Sequence, residues 1–151
     1  MDAHVFRRCC AALLPRLMGS RMEKIHIPGP GVTSFALYGG REKVGKRCLV
    51  LRAGRQSPLL FMTAHRIPVN AQPPAFAMLL RKHLSGRHIT QAICRWTERR
   101  LWICFSGNVW LCLDLREGPS LSFAPPPPFN EPLWPENVFL TQRNTFHDIY
   151  T

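Results

Sequence analysis

The sequence predicts an α+β domain in which two helices flank antiparallel sheet. Two segments, one near the N-terminus and one around residues 74–85, show the apolar spacing of an amphipathic helix. Each is followed by short runs of β-forming residues that glycine, proline and asparagine turns separate. Because 46% of the 151 residues are hydrophobic, the chain has enough apolar material for one core.

The first part of the chain predicts a helix and then strands. Asp2 is a suitable N-cap for a helix of about four turns, and Gly19 is its expected stop. Pro15 lacks a backbone donor, so the last turn is expected to be kinked or to begin after a break. The residues predicted on the apolar side of this helix are Val5, Cys9, Ala12, Leu13 and Leu17.

Strand candidates follow this helix at residues 21–27, 32–38, 47–52 and 59–64. In the first of them the apolar period shifts toward two, which predicts that Glu23, Ile25 and Ile27 share one face. The run Pro28-Gly29-Pro30-Gly31 then forces a turn.

A second helix is predicted after Pro73, with Pro74 in its first turn and Gly86 at its end. The arc predicted to face the core carries Phe76, Leu79, Leu80, His83 and Leu84. Across from that arc lie Arg81, Lys82 and Ser85, so the helix is expected to show cations to solvent. Strand candidates at 88–96, 100–106 and 109–115 then predict a β-meander with a tight turn at 106–108.

The composition changes after Glu117. Seven of the fourteen prolines lie between Gly118 and Thr151, which predicts neither regular sheet nor a long helix there. We therefore expect one domain at residues 1–118 and a Pro-rich connector or tail at 119–151 that packs partly on the domain. The run 125–128 is either a polyproline II segment that binds a partner or a rigid connector.

Charge indicates a polyanionic partner. Twenty Lys and Arg against nine Asp and Glu give a net charge of +11 and a pI near 10.3, although basic surfaces also serve solubility or anionic lipid. The densest cluster has Glu98 as its only acid, and its cations are Arg81, Lys82, Arg87, Arg95, Arg99 and Arg100. Arginine suits phosphate because its planar fork donates two parallel hydrogen bonds. The alternative is a solvated helix face followed by an edge strand.

Enzymatic function is disfavoured. The sequence has no phosphate-binding loop, dinucleotide fingerprint, nucleophile elbow or paired catalytic carboxylates. The six cysteines form no Cys-x-x-Cys pair and no zinc spacing, so we expect free thiols and neither metal nor cofactor. No secretory signal and no stretch long enough for a bilayer is apparent, which predicts a cytoplasmic protein without membrane contact or small-molecule substrate.

The segment Asn70–Thr90, NAQPPAFAMLLRKHLSGRHIT, resembles a signature in the N-terminal domain of the NFACT family. That family includes RqcH-like and NEMF-like ribosome quality-control factors and the fibronectin-binding protein A. Four further segments resemble the family in the same order along residues 1–118: MDAHVFRR, LMGSRMEKIHIPGP, TERRLWICF and SGNVWLCLDL. The chain lacks the further modules of full-length members, so we expect a fragment or a reduced relative.

The resemblance implies an antiparallel two-sheet sandwich similar to the N-terminal domain of Fpg/MutM-type glycosylases. It also implies an RNA-binding function, in which the domain engages tRNA and the stalled large ribosomal subunit. Asp2 stands where the family has its N-terminal aspartate, and Glu98-Arg99 stands where the family has an Asp-Arg pair that engages tRNA. We expect Glu98 to orient the Arg99 guanidinium, which suits contacts to ribose and bases.

Other interpretations stay open. Asp2 is also explained as an N-cap alone, and Glu98-Arg99-Arg100 as a hairpin turn alone. The alternative functions are a general nucleic-acid-binding module of glycosylase-like fold and a fibronectin-binding surface adhesin. Glycosylase chemistry is disfavoured because Asp2 follows Met1, so the N-terminal proline nucleophile is missing. The missing signal and the free thiols argue against the adhesin.

Overall fold

The computed structural model describes residues 1–65 and 72–128. In chain order its elements are α1 (Ala3–Leu17), β1 (Ser20–Gly29), β2 (Val32–Gly39), β3 (Val44–Arg52), β4 (Leu59–Thr63), α2 (Ala75–Leu84), β5 (Ile89–Arg95), β6 (Arg100–Phe105), β7 (Val109–Asp114) and β8 (Gly118–Ser122). Each helix thus precedes four strands.

The strands form two antiparallel four-stranded sheets with the orders β1-β2-β3-β4 and β5-β6-β7-β8. Both sheets are meanders, because every strand pairs with its neighbour in sequence. The predicted α+β class with two antiparallel sheets and flanking helices is confirmed. The likeness to glycosylases stays a prediction.

One apolar core joins the two sheets and both helices. The first sheet contributes Phe35 and Leu51 and the second contributes Leu101 and Phe105, all without exposed surface. Alternate residues of each strand point to opposite faces, so one face of each sheet lies against this core. Helix α1 contacts β4 and β5, and α2 contacts β1.

Helix α1 begins as predicted, because the Asp2 carboxylate accepts a hydrogen bond from the Val5 backbone N–H at 2.8 Å. The helix continues through Pro15 and ends at Leu17, two residues before Gly19, whose φ is +79°. Its C-terminus is held by Arg47, which is 7% exposed and whose Nη2 donates to the Arg16 carbonyl at 2.9 Å. A cation is favourable there because the helix dipole leaves partial negative charge at this end.

The predicted apolar face of α1 was partly wrong. The helix buries Phe6, Cys10, Leu13 and Leu17, whereas Val5 is 49% exposed and Ala12 is exposed. Both sets have helical spacing, since the helix is apolar over most of its circumference. The set that contains the large Phe6 ring is the one that faces the core.

The predicted apolar face of α2 was also partly wrong. Leu80 and Leu84 are buried as expected, but the third buried residue is Ala77, and Phe76 and Leu79 are 37% and 47% exposed. A small side chain at the contact lets the helix approach β1 closely, which turns the bulky Phe76 outward.

Strand β1 departs from the predicted alternation. A register shift lies between Met22 and Lys24, so Met22 and Ile25 are both buried while Glu23 is only half-buried. The extra residue of such a bulge reverses the facing of all that follow it. The expectation that Glu23 and Ile25 share a face was therefore wrong.

The sheet also continues beyond the predicted boundary at residue 118. The prediction of no regular sheet after Glu117 was wrong, because Gly118–Ser122 pairs with β7 as an edge strand. An edge strand tolerates Pro119, since a missing N–H on the free side costs no ladder bond. The predictions about residues 129–151 lie outside the described residues.

We predict that Leu80→Ala lowers the free energy of unfolding by about 2–5 kcal/mol, because it leaves a cavity where α2 meets the core. The matched change Phe76→Ala lies one turn away on the exposed side and should cost less than about 1 kcal/mol. Urea unfolding of both variants measures the difference. Equal losses would place Phe76 in the core after all.

Candidate nucleic-acid interface

A cleft of about 430 Å³ lies at one end of the sandwich, where the start of α1 meets the turns β3–β4, β5–β6 and β7–β8. We call it the Asp2–Arg99 cleft. Its lining residues are Met1, Asp2, Gly54, Arg55, Ser57, Pro58, Arg99, Leu115 and Arg116. Of the three residues implied by family position, Asp2 and Arg99 line this site although 97 positions separate them, and Glu98 is not among its lining residues.

Main-chain contacts fix the walls of this cleft. The amino group of Met1 donates to the Pro58 carbonyl at 3.1 Å, and Arg99 Nη1 donates to the Met1 carbonyl at 3.4 Å. The Leu115 N–H donates to the Arg99 carbonyl at 3.1 Å, and the Gly54 N–H donates to the Leu115 carbonyl at 3.0 Å. The four chain segments are therefore tied in a ring, so their side chains keep a defined spacing.

Asp2 and Arg99 offer complementary chemistry. The Val5 N–H holds the pKa of Asp2 below its ordinary value, so this exposed carboxylate is ionised at neutral pH and keeps acceptor positions free for a ligand. Arg99 is half-buried with φ +53°, a left-handed conformation that the turn imposes. Among the described residues its guanidinium makes only the bond to Met1, so other donors are available.

The charge of the cleft favours an anion that also offers hydroxyl or amine donors. Arg55, Arg99 and Arg116 stand against one acid, Asp2. Arginine forks bind phosphate, and a carboxylate accepts from ribose hydroxyls or base amines. The arrangement therefore fits a nucleotide unit better than a simple anion.

Glu98 does not orient Arg99, and that expectation was wrong. Its Oε2 accepts from Arg100 Nη1 at 2.7 Å, while Arg100 Nε donates to Asp114 Oδ2 at 2.6 Å. Glu98 in the β5–β6 turn and Arg100 on β6 thus belong to one ion-pair network with the buried Asp114 of β7, and the bond to Asp114 raises the pKa of Arg100. The Met1 carbonyl takes the place expected for Glu98.

Asp114 combines two structural contacts. Burial raises the pKa of Asp114. The hydrogen bonds from the Arg100 side chain and from the N–H groups of Arg116 and Glu117 lower this pKa by a larger amount, so the net shift is downward. The same carboxylate therefore pairs with Arg100 and shapes the β7–β8 turn that carries Arg116 into the cleft.

The helical part of the predicted cation cluster lies elsewhere. Arg81 Nε donates to the Ile25 carbonyl at 2.8 Å and its Nη2 lies 3.1 Å from His26 Nδ1, which ties α2 to β1. Arg81 was expected on the face away from the core and instead faces β1. Lys82 is exposed on α2.

Arg87 is enclosed at the opposite end of the second sheet. Its Nε donates to the His83 carbonyl and its Nη1 to the Ser106 carbonyl, both at 2.7 Å. A Cβ at Gly107 would collide with this guanidinium. Strand β6 separates Arg87 from the Arg99 turn by about 17 Å along the sheet. Arg87 therefore connects α2 to the β6–β7 turn and does not join the cleft.

Sequence reasoning missed Arg55 and Arg116. Both occupy turns between strand candidates. A position in a turn predicts that a side chain is exposed, but it does not predict that two such side chains lie close together. Their meeting depends on how the two sheets stack, and no local pattern specifies that stacking.

Comparison with protein families gives a match over residues 2–108 to the NFACT N-terminal and middle domains. The chain belongs to this family. Comparison with curated proteins gives no match.

Solved structures agree in fold. The N-terminal domain of fibronectin-binding protein PavA from Streptococcus pneumoniae has a TM-score of 0.69 at 16% identity, covering 98% of this chain and 76% of that one. The N-terminal part of the fibronectin/fibrinogen-binding protein from Streptococcus suis has a TM-score of 0.65 at 17% identity, covering 95% and 69%. The fibrinogen-binding protein from Staphylococcus aureus has a TM-score of 0.59 at 18% identity, covering 90% and 59%. At these identities the likeness concerns the fold alone.

Two features bound the chemistry of the described residues. In the parts of the chain at 1–65 and 72–128, no three or more His, Cys, Asp or Glu side chains form a group that would hold a metal ion. The helices of the same parts are too short and too polar to cross a bilayer. Of the six free thiols, Cys10, Cys48, Cys104 and Cys112 are buried.

We predict that acid weakens the fold through Asp114. Its folded pKa lies below the ordinary value of 3.8, so its stabilisation is complete above that pH and is lost as pH falls through the folded pKa. Asp114→Asn should cost about 1–2 kcal/mol at pH 7 and should flatten the decline of the urea midpoint below pH 4. An unchanged decline in this variant would assign the acid sensitivity to other carboxylates.

Proposed function

We propose that this chain is an RNA-binding domain that engages tRNA and the large ribosomal subunit through the Asp2–Arg99 cleft, as part of a cytoplasmic ribosome quality-control factor. The observation that carries the proposal is the meeting of Asp2 and Arg99 in one cleft with Arg55 and Arg116. Family membership supports the proposal, because the resemblance implies a tRNA-engaging role for the Glu98-Arg99 pair and gives Asp2 the position of the family's N-terminal aspartate.

The cleft residues have separate roles in this proposal. Arg99 donates a bidentate pair to a phosphate or a base edge, and Arg55 and Arg116 attract neighbouring phosphates from the rims. Asp2 accepts from a ribose 2′-hydroxyl or an exocyclic amine, which distinguishes RNA from a generic polyanion. No bond is made or broken by these groups, so peptide-bond chemistry is left to the ribosome and the domain needs no cofactor, membrane or small-molecule substrate.

The net charge of +11 supplies the long-range attraction in this proposal. Exposed cations outside the cleft, such as Lys82, add to this long-range attraction but make no specific contacts to the ligand. Specific contacts and general attraction are therefore expected at different residues, which makes them separable by mutation.

We predict that the logarithm of the tRNA affinity falls linearly with the logarithm of the salt concentration, because phosphate contacts release counterions. A titration series at several salt concentrations measures this slope, and a flat response would contradict it.

Titrations of tRNA, duplex DNA, heparin and fibronectin at one salt concentration separate the candidate functions. Binding of tRNA above duplex DNA and heparin supports the proposal. Equal affinity for tRNA and DNA would favour a general nucleic-acid module, and binding of fibronectin alone would favour the adhesin.

Arg99→Lys keeps the charge but removes the planar fork, so we predict that it weakens tRNA binding nearly as much as Arg99→Ala, by about tenfold or more. The matched control Lys82→Arg should leave affinity unchanged. A filter-binding titration after a check of folding by circular dichroism measures both. If the Arg99→Lys variant binds tRNA with wild-type affinity, the cleft attracts tRNA by its charge alone.

Asp2→Asn tests whether the Asp2 carboxylate accepts a hydrogen bond from a ribose 2′-hydroxyl or an exocyclic amine. An asparagine side chain still caps α1, so the helix should persist while the charged acceptor is lost. We predict a smaller preference for tRNA over duplex DNA with little change in total affinity for polyanions. An unchanged preference would show that Asp2 serves α1 only as an N-cap.

A further inference from the structure

The outer face of the second sheet, which points away from the core, is partly buried although its side chains lie outside the core cluster. Register pairs Trp102 with Cys112 and Cys104 with Trp110, and strand alternation puts all four on the side opposite Leu101 and Leu113. Trp110, Cys104 and Cys112 are each only 5% exposed. Apolar side chains on this face are therefore covered by another part of the molecule.

The segment after β8 crosses this face. Ser122 pairs with Trp110, and its hydroxyl donates to the Ala124 carbonyl at 2.7 Å, which turns the chain over the sheet. Five residues later, Arg95 Nη2 donates to the Pro127 carbonyl at 3.1 Å, on the far strand β5. We call residues 123–128 the strap.

The strap is extended along residues 125–128. Residues 123 and 124 form a bend that turns the chain after Ser122, and the four prolines that follow belong to no helix, strand or turn. The Pro127 carbonyl lies within hydrogen-bond distance of the long Arg95 side chain of β5.

The sequence enforces that conformation. Each of residues 125–128 is proline with φ near −65°, and a residue that precedes proline is pushed to extended ψ. Polyproline II has three residues per turn, so one residue in three faces a given surface. Pro126 is buried while its neighbours Pro125, Pro127 and Pro128 are exposed, so this one proline faces a protein surface.

The contacts are of the kind that recognises proline-rich peptides. Polyproline II carries no internal hydrogen bonds, so its carbonyls are available to a donor such as Arg95. Aromatic-lined surfaces with one or two donors bind such segments with little loss of entropy, because the ligand is already extended. Trp102, Trp110 and Arg95 supply this chemistry on the outer face.

We propose that the outer face of the second sheet is a binding site for proline-rich extended segments, occupied in this chain by its own strap. The site lies apart from the Asp2–Arg99 cleft and does not depend on RNA binding. The ligand class is a polyproline II peptide with a proline that points down at the position of Pro126 and a free carbonyl one residue later.

The test uses the full chain with ¹⁵N labelling, in which the indole N–H signals of Trp102 and Trp110 report on the face. Pro126→Asp places a charge against the apolar surface and should release the strap, which shifts both signals and speeds their hydrogen exchange. The matched control Pro125→Asp makes the same change at an exposed neighbour and should leave both signals in place.

A peptide of residues 122–128, SFAPPPP with blocked ends, is then titrated into the Pro126→Asp chain. The proposal expects saturable return of both indole signals toward their wild-type positions, with the same peptide carrying aspartate at Pro126 at least about tenfold weaker. Unshifted signals in Pro126→Asp would overturn the proposal. Shifted signals that the peptide does not restore would also overturn it, because the strap would then be held only by its covalent connection.

Discussion

The burial of one side of α1 between the two sheets is the constraint on which the candidate site depends. Phe6, Cys10 and Leu17 have no exposed surface, and the helix contacts β4 of one sheet and β5 of the other. Both ends are fastened as well, since the Gly19 N–H donates to the Ile89 carbonyl at 2.9 Å and the Met1 amino group reaches Pro58. A helix fixed along its length holds Asp2 at one place, so core packing sets the position of an exposed carboxylate.

Most arginines of the dense sequence cluster serve the fold. Arg87 satisfies two carbonyls where α2 meets the β6–β7 turn, and Arg100 joins a carboxylate of the β5–β6 turn to one of β7. Five donors on a rigid fork make arginine suitable for joining chain segments through carbonyl groups as well as for binding phosphate. Arginines that are close in sequence therefore need not form a cluster of charge that a ligand can reach. The cations of the cleft come from three separate turns and are Arg55, Arg99 and Arg116.

Local patterns predicted the elements well and their contacts poorly. Strong signals such as the Asp2 cap and the strands at 32–38 and 59–64 were confirmed within one or two residues, because capping and alternation act over a few positions. The inward faces of both helices were partly wrong, since apolar residues surround more than half of each helix and only the neighbouring sheet selects among them. The sequence of β1 carries no local sign of the bulge, so the sequence did not predict which side chains after the bulge face the core.

The candidate site was half predictable for the same reason. Family position identified Asp2, Glu98 and Arg99, but the cleft that Asp2 and Arg99 share follows from the stacking of two sheets that the sequence does not encode locally. The failure of Glu98 as the partner of Arg99 has a specific cause. Arg99 adopts a left-handed conformation that sends its side chain toward Met1, whereas the next residue, Arg100, begins β6 and points toward Asp114. One change of backbone conformation between adjacent residues thus puts Arg99 in the cleft and Arg100 in the ion-pair network.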